Sequence, residues 1–170
     1  NSTARKTAGL ASVITTNVKN NADTTLDKDD VLDVMQLCYD NGGLMEGETR
    51  VLMVGSTQKR AVSEAFVNAT DGYRWQDSTV GGVNCQSIET DFGKLNVMLN
   101  RHVPSDEAYV LSLEDLDVCF LEVPGKGHFF VEPLSKTGAA DKYQIYGEIG
   151  LKYGNQRKHG RLHNIGGYSS

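Results

Sequence analysis

The residues best placed for chemistry are a serine and a lysine three positions apart, Ser56 and Lys59, with the triplet Lys136-Thr137-Gly138 much later in the chain. Ser-x-x-Lys with Lys-Thr-Gly is the motif pair of penicillin-interacting serine enzymes, where the lysine accepts the serine proton and a helix N-terminus favours the resulting anion. The Ser-x-Asn element that belongs between the two motifs is absent. We therefore favour Ser56 as a helix cap with Lys59 on the solvated face, and keep the serine enzyme as a weaker alternative.

Two histidines, His159 and His163, stand four residues apart. A helix would bring both to one face, as a metal ion requires, but Gly160 and the preceding alternation favour a strand. Residues four apart on a strand lie about 13 Å from each other, too far for one ion. No cysteine or carboxylate stands at a companion zinc spacing. The pattern predicts exposed or interfacial histidines, with no metal and no cofactor.

Two glycine-containing motifs have simpler explanations than catalysis. Asp91-Phe92-Gly93 matches a kinase triplet, but the kinase Gly-rich loop, lysine and catalytic loop are absent. Gly125-Lys126-Gly127 is too short to cradle a phosphate. Both are interpreted as hairpin turns, so we predict no catalytic residue and no enzymatic activity.

Composition narrows the class of protein. The 170 residues are 39% hydrophobic and include 18 glycines but only 3 prolines, which favours one strand-rich α+β protein. A net charge of −5, with no Lys/Arg block longer than two residues, argues against a specific nucleic-acid site or an anionic membrane surface. No apolar run is long enough to span a bilayer. The widely spaced Cys38, Cys85 and Cys119 predict reduced, packed thiols, and the first residue, Asn1, predicts a truncated or processed start.

Hydrophobic spacing predicts the elements of the first half. Residues 1–24 predict an irregular arm that docks on the rest. Apolar residues at helical spacing behind an acidic first turn predict a helix from Leu26 to Gly42-Gly43, namely Val31, Val34, Met35 and Cys38. Arg50–Val54 is a predicted strand, and a second helix capped by Ser56 carries the stripe Ala61, Val62, Ala65 and Phe66. Residues 72–82 predict an exposed loop whose Tyr73 and Trp75 touch another surface.

The second half alternates with a period of two. Residues 83–91 and 94–100 predict a hairpin, with Leu95, Val97 and Leu99 on one face. A helical turn at 113–116 and strands at 117–123, 128–134 and 161–165 follow, with Pro133 at an edge or an end. The clearest alternation, at 143–153, predicts a long, half-buried strand.

Short segments in a fixed order carry a resemblance over nearly the whole chain. They are Arg5-Lys6-Thr7-Ala8-Gly9-Leu10, Leu52-Met53-Val54-Gly55, Gln58-Lys59-Arg60, Thr90-Asp91-Phe92-Gly93, Glu132-Pro133-Leu134-Ser135-Lys136-Thr137-Gly138, Tyr146-Gly147-Glu148 and His159-Gly160. In these the chain resembles the C-terminal part of tailed-bacteriophage major capsid proteins. The resemblance implies the α+β Johnson fold, with an axial domain and part of a peripheral domain. It implies an arm or linker at 1–25, an axial-type α/β lobe at 26–110 and a peripheral-type β-rich segment at 111–170.

The resemblance also implies a function. The chain would be a structural subunit of an icosahedral phage or prophage head that encloses DNA. It would be a fragment or processed piece of that subunit, since family members run to about 300 residues and have an arm, an extended loop and a spine helix before this region. Its partners would be other copies, with scaffolding or portal proteins, and its place the virion, after assembly in the bacterial cytoplasm. The expected subunit contacts are Tyr73, Arg74, Trp75, Tyr146 and Glu148. The alternative is a non-enzymatic adaptor or binding domain.

Overall fold

The computed structural model describes residues 6–45, 48–67, 75–80, 83–136 and 138–166, and the side chains of these except at 67, 75–80 and 83–85. The helices are α1 (Leu10–Val13), α2 (Lys28–Asp40) and α3 (Ser56–Val67), with 3-10 turns at Leu113–Asp115 and Gln156–Lys158. The strands are β1 (Val18–Asn20), β2 (Arg50–Val54), β3 (Trp75–Val80), β4 (Val83–Thr90), β5 (Gly93–Leu99), β6 (Ala108–Ser112), β7 (Asp117–Leu121), β8 (Phe129–Pro133), β9 (Tyr143–Lys152) and β10 (Gly160–His163).

Within the described residues the strands form two sheets. The seven-stranded sheet has the order β1-β10-β6-β2-β5-β4-β3, and the three-stranded sheet has the order β7-β9-β8. In the larger sheet β2 runs parallel to β5 and β1 runs parallel to β10, whereas its other pairs are antiparallel. All pairs in the smaller sheet are antiparallel.

The main core lies between the seven-stranded sheet and the two longer helices. Helix α2 begins with a capping box, in which the Asp27 side chain accepts from the first turn and Asp30 accepts from the Asp27 backbone. Its predicted apolar stripe is confirmed, because Val31, Val34 and Met35 are fully buried. They pack with residues of α3 and of strands β2, β4, β5, β6 and β10. A smaller cluster on the other face of the sheet joins Ile14 to Tyr109 and Leu111 of β6.

The hairpin turn predicted at Asp91-Phe92-Gly93 is confirmed, and Gly93 has a specific role in it. Its φ of +99° is one that L side chains rarely adopt, and an added Cβ would overlap the Arg50 guanidinium. That guanidinium is nearly buried and donates to the carbonyls of Phe92, at 2.6 Å, and Met45, at 2.7 Å. Gly93 therefore makes room for the arginine that ties β2 to the β4–β5 turn.

Several strand predictions need correction. The expected loop at 72–82 contains β3, which forms because its backbone pairs with β4 over six residues. Strand β6 was not predicted, although it pairs with both β2 and β10 in the middle of the sheet. Leu99 lies on the same face as Leu95 and Val97, as predicted, but it is exposed because it ends β5 at the margin of the sheet.

The ends of the chain take a larger part in the fold than the sequence indicated. The segment expected to be an irregular arm supplies β1, which pairs with β10, and buries Ile14 and Asn17. The segment boundaries predicted at residues 25 and 110 do not separate the two sheets, because β1 and β10 both lie in the seven-stranded sheet. Helix α3 begins at Ser56 itself, and the Gly55 carbonyl accepts from Lys59 N, so Ser56 lies inside the helix rather than capping it.

Candidate functional site

The motif pair for serine chemistry is not assembled. Ser56 begins α3, beside the seven-stranded sheet, and Lys59 Nζ donates to Gln86 Oε1 at 2.9 Å. Lys136 lies in the loop between β8 and β9, at the three-stranded sheet, and pairs with Asp141 at 2.7 Å. Thr137 lies outside the described residues. One half of the motif thus lies on α3 and the other in the loop between β8 and β9, and the geometry gives no support to a serine enzyme.

A second grouping, of Cys38, His159 and Asn17, contains the residue types of cysteine hydrolases. Asn17 Nδ2 lies 3.8 Å from Cys38 Sγ and donates to the His159 carbonyl at 3.1 Å. The His159 ring, however, bonds to Ser112 N and the Tyr153 carbonyl rather than to the thiol. Burial raises the pKa of Cys38 to about 12, which removes the reactive thiolate at neutral pH. This cluster holds the core together and offers no nucleophile.

The predictions for the other histidines and cysteines are mixed. His159 is fully buried, so the prediction that it is exposed or interfacial is wrong; the ring fills the space beside the end of β6. Cys38 is packed as predicted, whereas Cys119 is exposed at the sheet surface.

In the described ranges, no three His, Cys, Asp or Glu residues are grouped closely enough to hold a metal ion. No helix in the same ranges is both long and apolar enough to cross a membrane.

The most unusual surface is one side of the three-stranded sheet, called here the apolar face. Residues directly opposite each other on antiparallel strands point to the same side. The pairings Val118–Leu151 and Phe120–Ile149 join β7 to β9, and Val131–Ile145 joins β8 to β9. The whole apolar face consists of Val118, Phe120, Phe129, Val131, Pro133, Tyr143, Ile145, Gly147, Ile149 and Leu151.

Much of this apolar face is open to solvent. Ile145 is 79% exposed, Tyr143 65% and Phe129 56%. The sequence predicted β9 correctly as a strand, but the expectation that it is half-buried is wrong, because no described element packs over these side chains. A contiguous exposed patch of large apolar residues marks an interaction surface rather than ordinary protein surface.

Glycine in the middle of the apolar face lets aromatic rings pack across it. An added Cβ at Gly147 would overlap the Phe129 ring, which is paired with it from β8. The Phe129 ring also meets Phe120 of β7 edge-on, with centroids 5.9 Å apart, and Phe120 lies 5.0 Å from the His128 ring. The two outer strands are thereby linked over the central strand, which gives the apolar face an ordered shape.

The opposite side of the sheet, called here the polar face, carries two of the predicted contact residues. The Tyr146 hydroxyl donates to Glu148, and the Tyr146 ring packs 5.5 Å from Phe130. Lys126 contacts Glu132 and lies 4.7 Å from the centroid of the Phe130 ring. The hydrogen bond from Lys126 holds the pKa of Glu132 below its usual range. The structure thus brings Tyr146 and Glu148 together on the face that already satisfies its own polar groups.

The remaining predicted contacts fall elsewhere. Tyr73 and Arg74 lie outside the described residues, and Trp75 begins β3 at the far edge of the seven-stranded sheet. Sequence reasoning missed the neighbours that complete the apolar face, such as Phe120 and Val131. The usable signal was the alternation in β7, β8 and β9 taken together, because three adjacent amphipathic strands make one continuous face.

Comparison with known proteins gives one family and solved structures that share this fold. The family model described as SU10 major capsid protein matches residues 1–166. No curated protein matches the chain.

Two solved structures share the fold at low sequence identity. The holo-SrpI encapsulin complex from Synechococcus elongatus PCC 7942 aligns with a TM-score of 0.68 and 11% identity, covering 95% of this chain and 59% of that one. A chain from Mycobacterium phage Patience aligns with a TM-score of 0.63 and 13% identity, covering 90% of this chain and 49% of that one. The chain thus spans between about half and three fifths of these relatives. At such identities the likeness shows the fold alone, and it agrees with the expected α+β fold.

Proposed function

The chain belongs to the SU10 major capsid protein family, and from this premise we propose that it is a structural subunit of an icosahedral bacteriophage or prophage head that encloses DNA. Its role in that head is mechanical. Many identical copies close a shell through repeated contacts, in which one surface of a subunit meets a different surface of the next.

The observation that carries the proposal, beside the family, is the exposed apolar face of the three-stranded sheet. A free monomer would leave Ile145, Val131 and Phe129 in water, at a cost of roughly 25 cal/mol for each Å² of apolar area. Burial between subunits recovers that free energy in every copy, so modest contacts add up over a whole shell. A shell subunit needs such a surface and needs no catalytic residue.

The net charge fits a container better than a DNA binder. The chain carries −5, with 22 acidic against 17 basic residues. A strongly basic inner surface would bind DNA phosphates by releasing their counterions, whereas an acidic chain does not bind the DNA backbone in this way. The partners in this account are other copies of the subunit, with scaffolding or portal proteins at defined positions. Assembly takes place in the bacterial cytoplasm, and the mature protein resides in the virion.

The same account assigns one group of subunit contacts to Tyr73, Arg74 and Trp75 and a second group to Tyr146 and Glu148. These two regions are carried by different sheets: Trp75 opens the edge strand β3, and Tyr146 lies on β9. Two separated contact regions on one subunit are what a repeating, non-reciprocal interface requires.

The test is to express the complete protein and examine it by sedimentation and negative-stain microscopy. The proposal predicts closed particles of uniform diameter whose subunit has the mass of the complete protein. A monodisperse monomer that forms no particles, alone or with its own phage's assembly proteins, would contradict it and leave the adaptor interpretation.

A further inference from the structure

One buried side chain contacts both of the segments that join the two sheets. In the described part of the chain, the backbone passes between the sheets at two places. The first connector, residues 113–116, leads from β6 to β7, and the second, residues 153–159, leads from β9 back to β10. His159 lies at the end of the second connector and is fully buried.

The His159 ring makes a hydrogen bond to each connector. Its Nδ1 accepts from the Ser112 backbone N–H at 3.4 Å, at the start of the first connector. Its Nε2 lies 3.1 Å from the Tyr153 carbonyl, at the start of the second. A backbone N–H can only donate and a carbonyl can only accept, so the ring must be neutral with its proton on Nε2.

We propose that the His159 ring holds the two connectors together at neutral pH, and that its bond to Ser112 breaks when Nδ1 gains a proton. The protonated ring would set an N–H against the Ser112 N–H, so this hydrogen bond cannot persist. Ser112 then loses its buried acceptor, so the connectors lose their buried link and keep the partly exposed ion pair of Lys158 with Asp115. The angle between the sheets, and with it the direction of the apolar face, becomes able to change.

Among the described residues, the charged groups near the ring are already paired with other partners. Lys158 pairs with Glu48 at 2.9 Å and with Asp115 at 3.0 Å. The second oxygen of Glu48 accepts from Ser112 Oγ at 3.0 Å and from Met45 N at 3.2 Å. The other titratable groups around this region are the Cys38 thiol, linked through Asn17, and the side chain of Tyr153.

The effect of acid on Glu48 can be distinguished from its effect on His159 by the choice of pH. Although burial opposes its charged form, hydrogen bonds from Lys158, Ser112 and Met45 hold the pKa of Glu48 below its usual range. Glu48 therefore stays charged at pH 5.0, whereas histidine is the side chain that ordinarily changes charge between about pH 5 and 8. A change between pH 7.5 and 5.0 reports on histidine.

The test is hydrogen–deuterium exchange of the complete protein at pH 7.5 and 5.0, with protection factors corrected for the pH dependence of intrinsic exchange. We expect protection in peptides covering 111–121 and 150–158 to fall about tenfold at pH 5.0, while β2 remains protected. His159→Gln removes the titrating group and keeps an amide donor and acceptor, so its protection should be the same at both pH values. His163→Gln, four residues further along at the end of β10 and half-buried, is the matched control and should behave like the wild type.

The inference fails if wild-type protection is unchanged between the two pH values, or if His159→Gln shows the same fall. Should His159→Gln not fold, ¹⁵N spectra of the wild-type imidazole decide instead. A ring that is still neutral at pH 5.0 overturns the inference, and a ring that gains its proton together with the loss of Ser112 protection supports it. Both readouts concern the folded subunit, so they stand whether or not the protein forms a phage head.

Discussion

Ile145 on β9 and Val131 on β8 are paired directly across the three-stranded sheet, and both side chains are largely exposed, at 79% and 61%. Cross-strand apolar pairs stabilise a sheet most when a second layer excludes water from them. Among the described residues, no second layer covers their side. The pair therefore marks the centre of the surface that we assign to contacts within the shell.

A charge at the centre of the apolar face should stop assembly without unfolding the subunit. In the complete protein, Ile145→Asp should abolish particles, because a carboxylate buried at an interface loses its hydration without gaining a partner. Gln144→Lys places a charge on the preceding residue, which points to the polar face directly opposite Glu132, and should leave particle yield near that of the wild type. Sedimentation measures assembly, and circular dichroism checks the fold. Particles from Ile145→Asp at the yield of Gln144→Lys would rule out this face as a contact.

The contacts predicted from the sequence can be tested separately. Trp75→Ala, at the edge of the seven-stranded sheet, should lower particle yield several-fold, since large aromatic side chains supply much of the free energy of interfaces. Tyr146→Ala on the polar face should have the smaller effect, because its hydroxyl is already bonded to Glu148 within the subunit. Wild-type yields for Trp75→Ala would remove that edge from the set of contacts.

Gly93→Ala should destabilise the subunit by about 2 kcal/mol or more. The substitution forces an L side chain into positive φ and pushes against the Arg50 guanidinium. Gly138→Ala is the control, since nothing lies near an added Cβ there, and it should change the free energy of unfolding by less than about 0.5 kcal/mol. Urea denaturation of free subunits measures both. Equal stabilities would show that the turn does not need glycine.

Two leucines that differ in burial test where the core lies. Leu52→Ala on β2 should cost about 2–5 kcal/mol, because the side chain is fully buried beneath α2 and α3 and leaves a cavity. Leu99→Ala, at the exposed end of β5, should cost less than about 0.5 kcal/mol. A comparable loss at both positions, measured by the same denaturation, would mean that β5 is covered at its end.

Stability should depend on pH through Glu48. Since the folded state holds the pKa of Glu48 below its usual range, its carboxylate stabilises the fold above the unfolded value of about 4.3. This contribution is lost as the pH falls through the lower, folded value. Glu48→Gln should therefore be less stable than the wild type at pH 7, with the difference shrinking below about pH 4.3. The exposed Glu122→Gln should show no such change, and a constant gap for Glu48→Gln from pH 7 to 3 would contradict the assignment.

Local patterns were sufficient wherever an element packs by itself against the core. The spacing of Val31, Val34 and Met35 predicted α2, and the acidic first turn predicted its start, because a helix satisfies its own backbone bonds and only one stripe needs burial. The β4–β5 hairpin was equally visible, since its strands are joined by a short turn at Gly93.

Elements that depend on distant partners were harder to predict. Strand β6 is a short apolar run that pairs with β2 and β10, far away in sequence, and such a run has no distinctive period. Strand β3 forms through backbone pairing with β4, which side-chain alternation does not encode. For β9 the alternation showed that one side is apolar. The pattern of a single chain, however, does not show whether the residues that pack against this side come from the same chain or from another.

The most direct test of the central claim is a cryo-electron microscopy reconstruction of particles formed by the complete protein. We predict an icosahedral shell in which each subunit contains both sheets as described, with Phe120, Val131 and Ile145 covered by protein. Absence of particles, or a shell in which the apolar face remains open to solvent, would contradict the account.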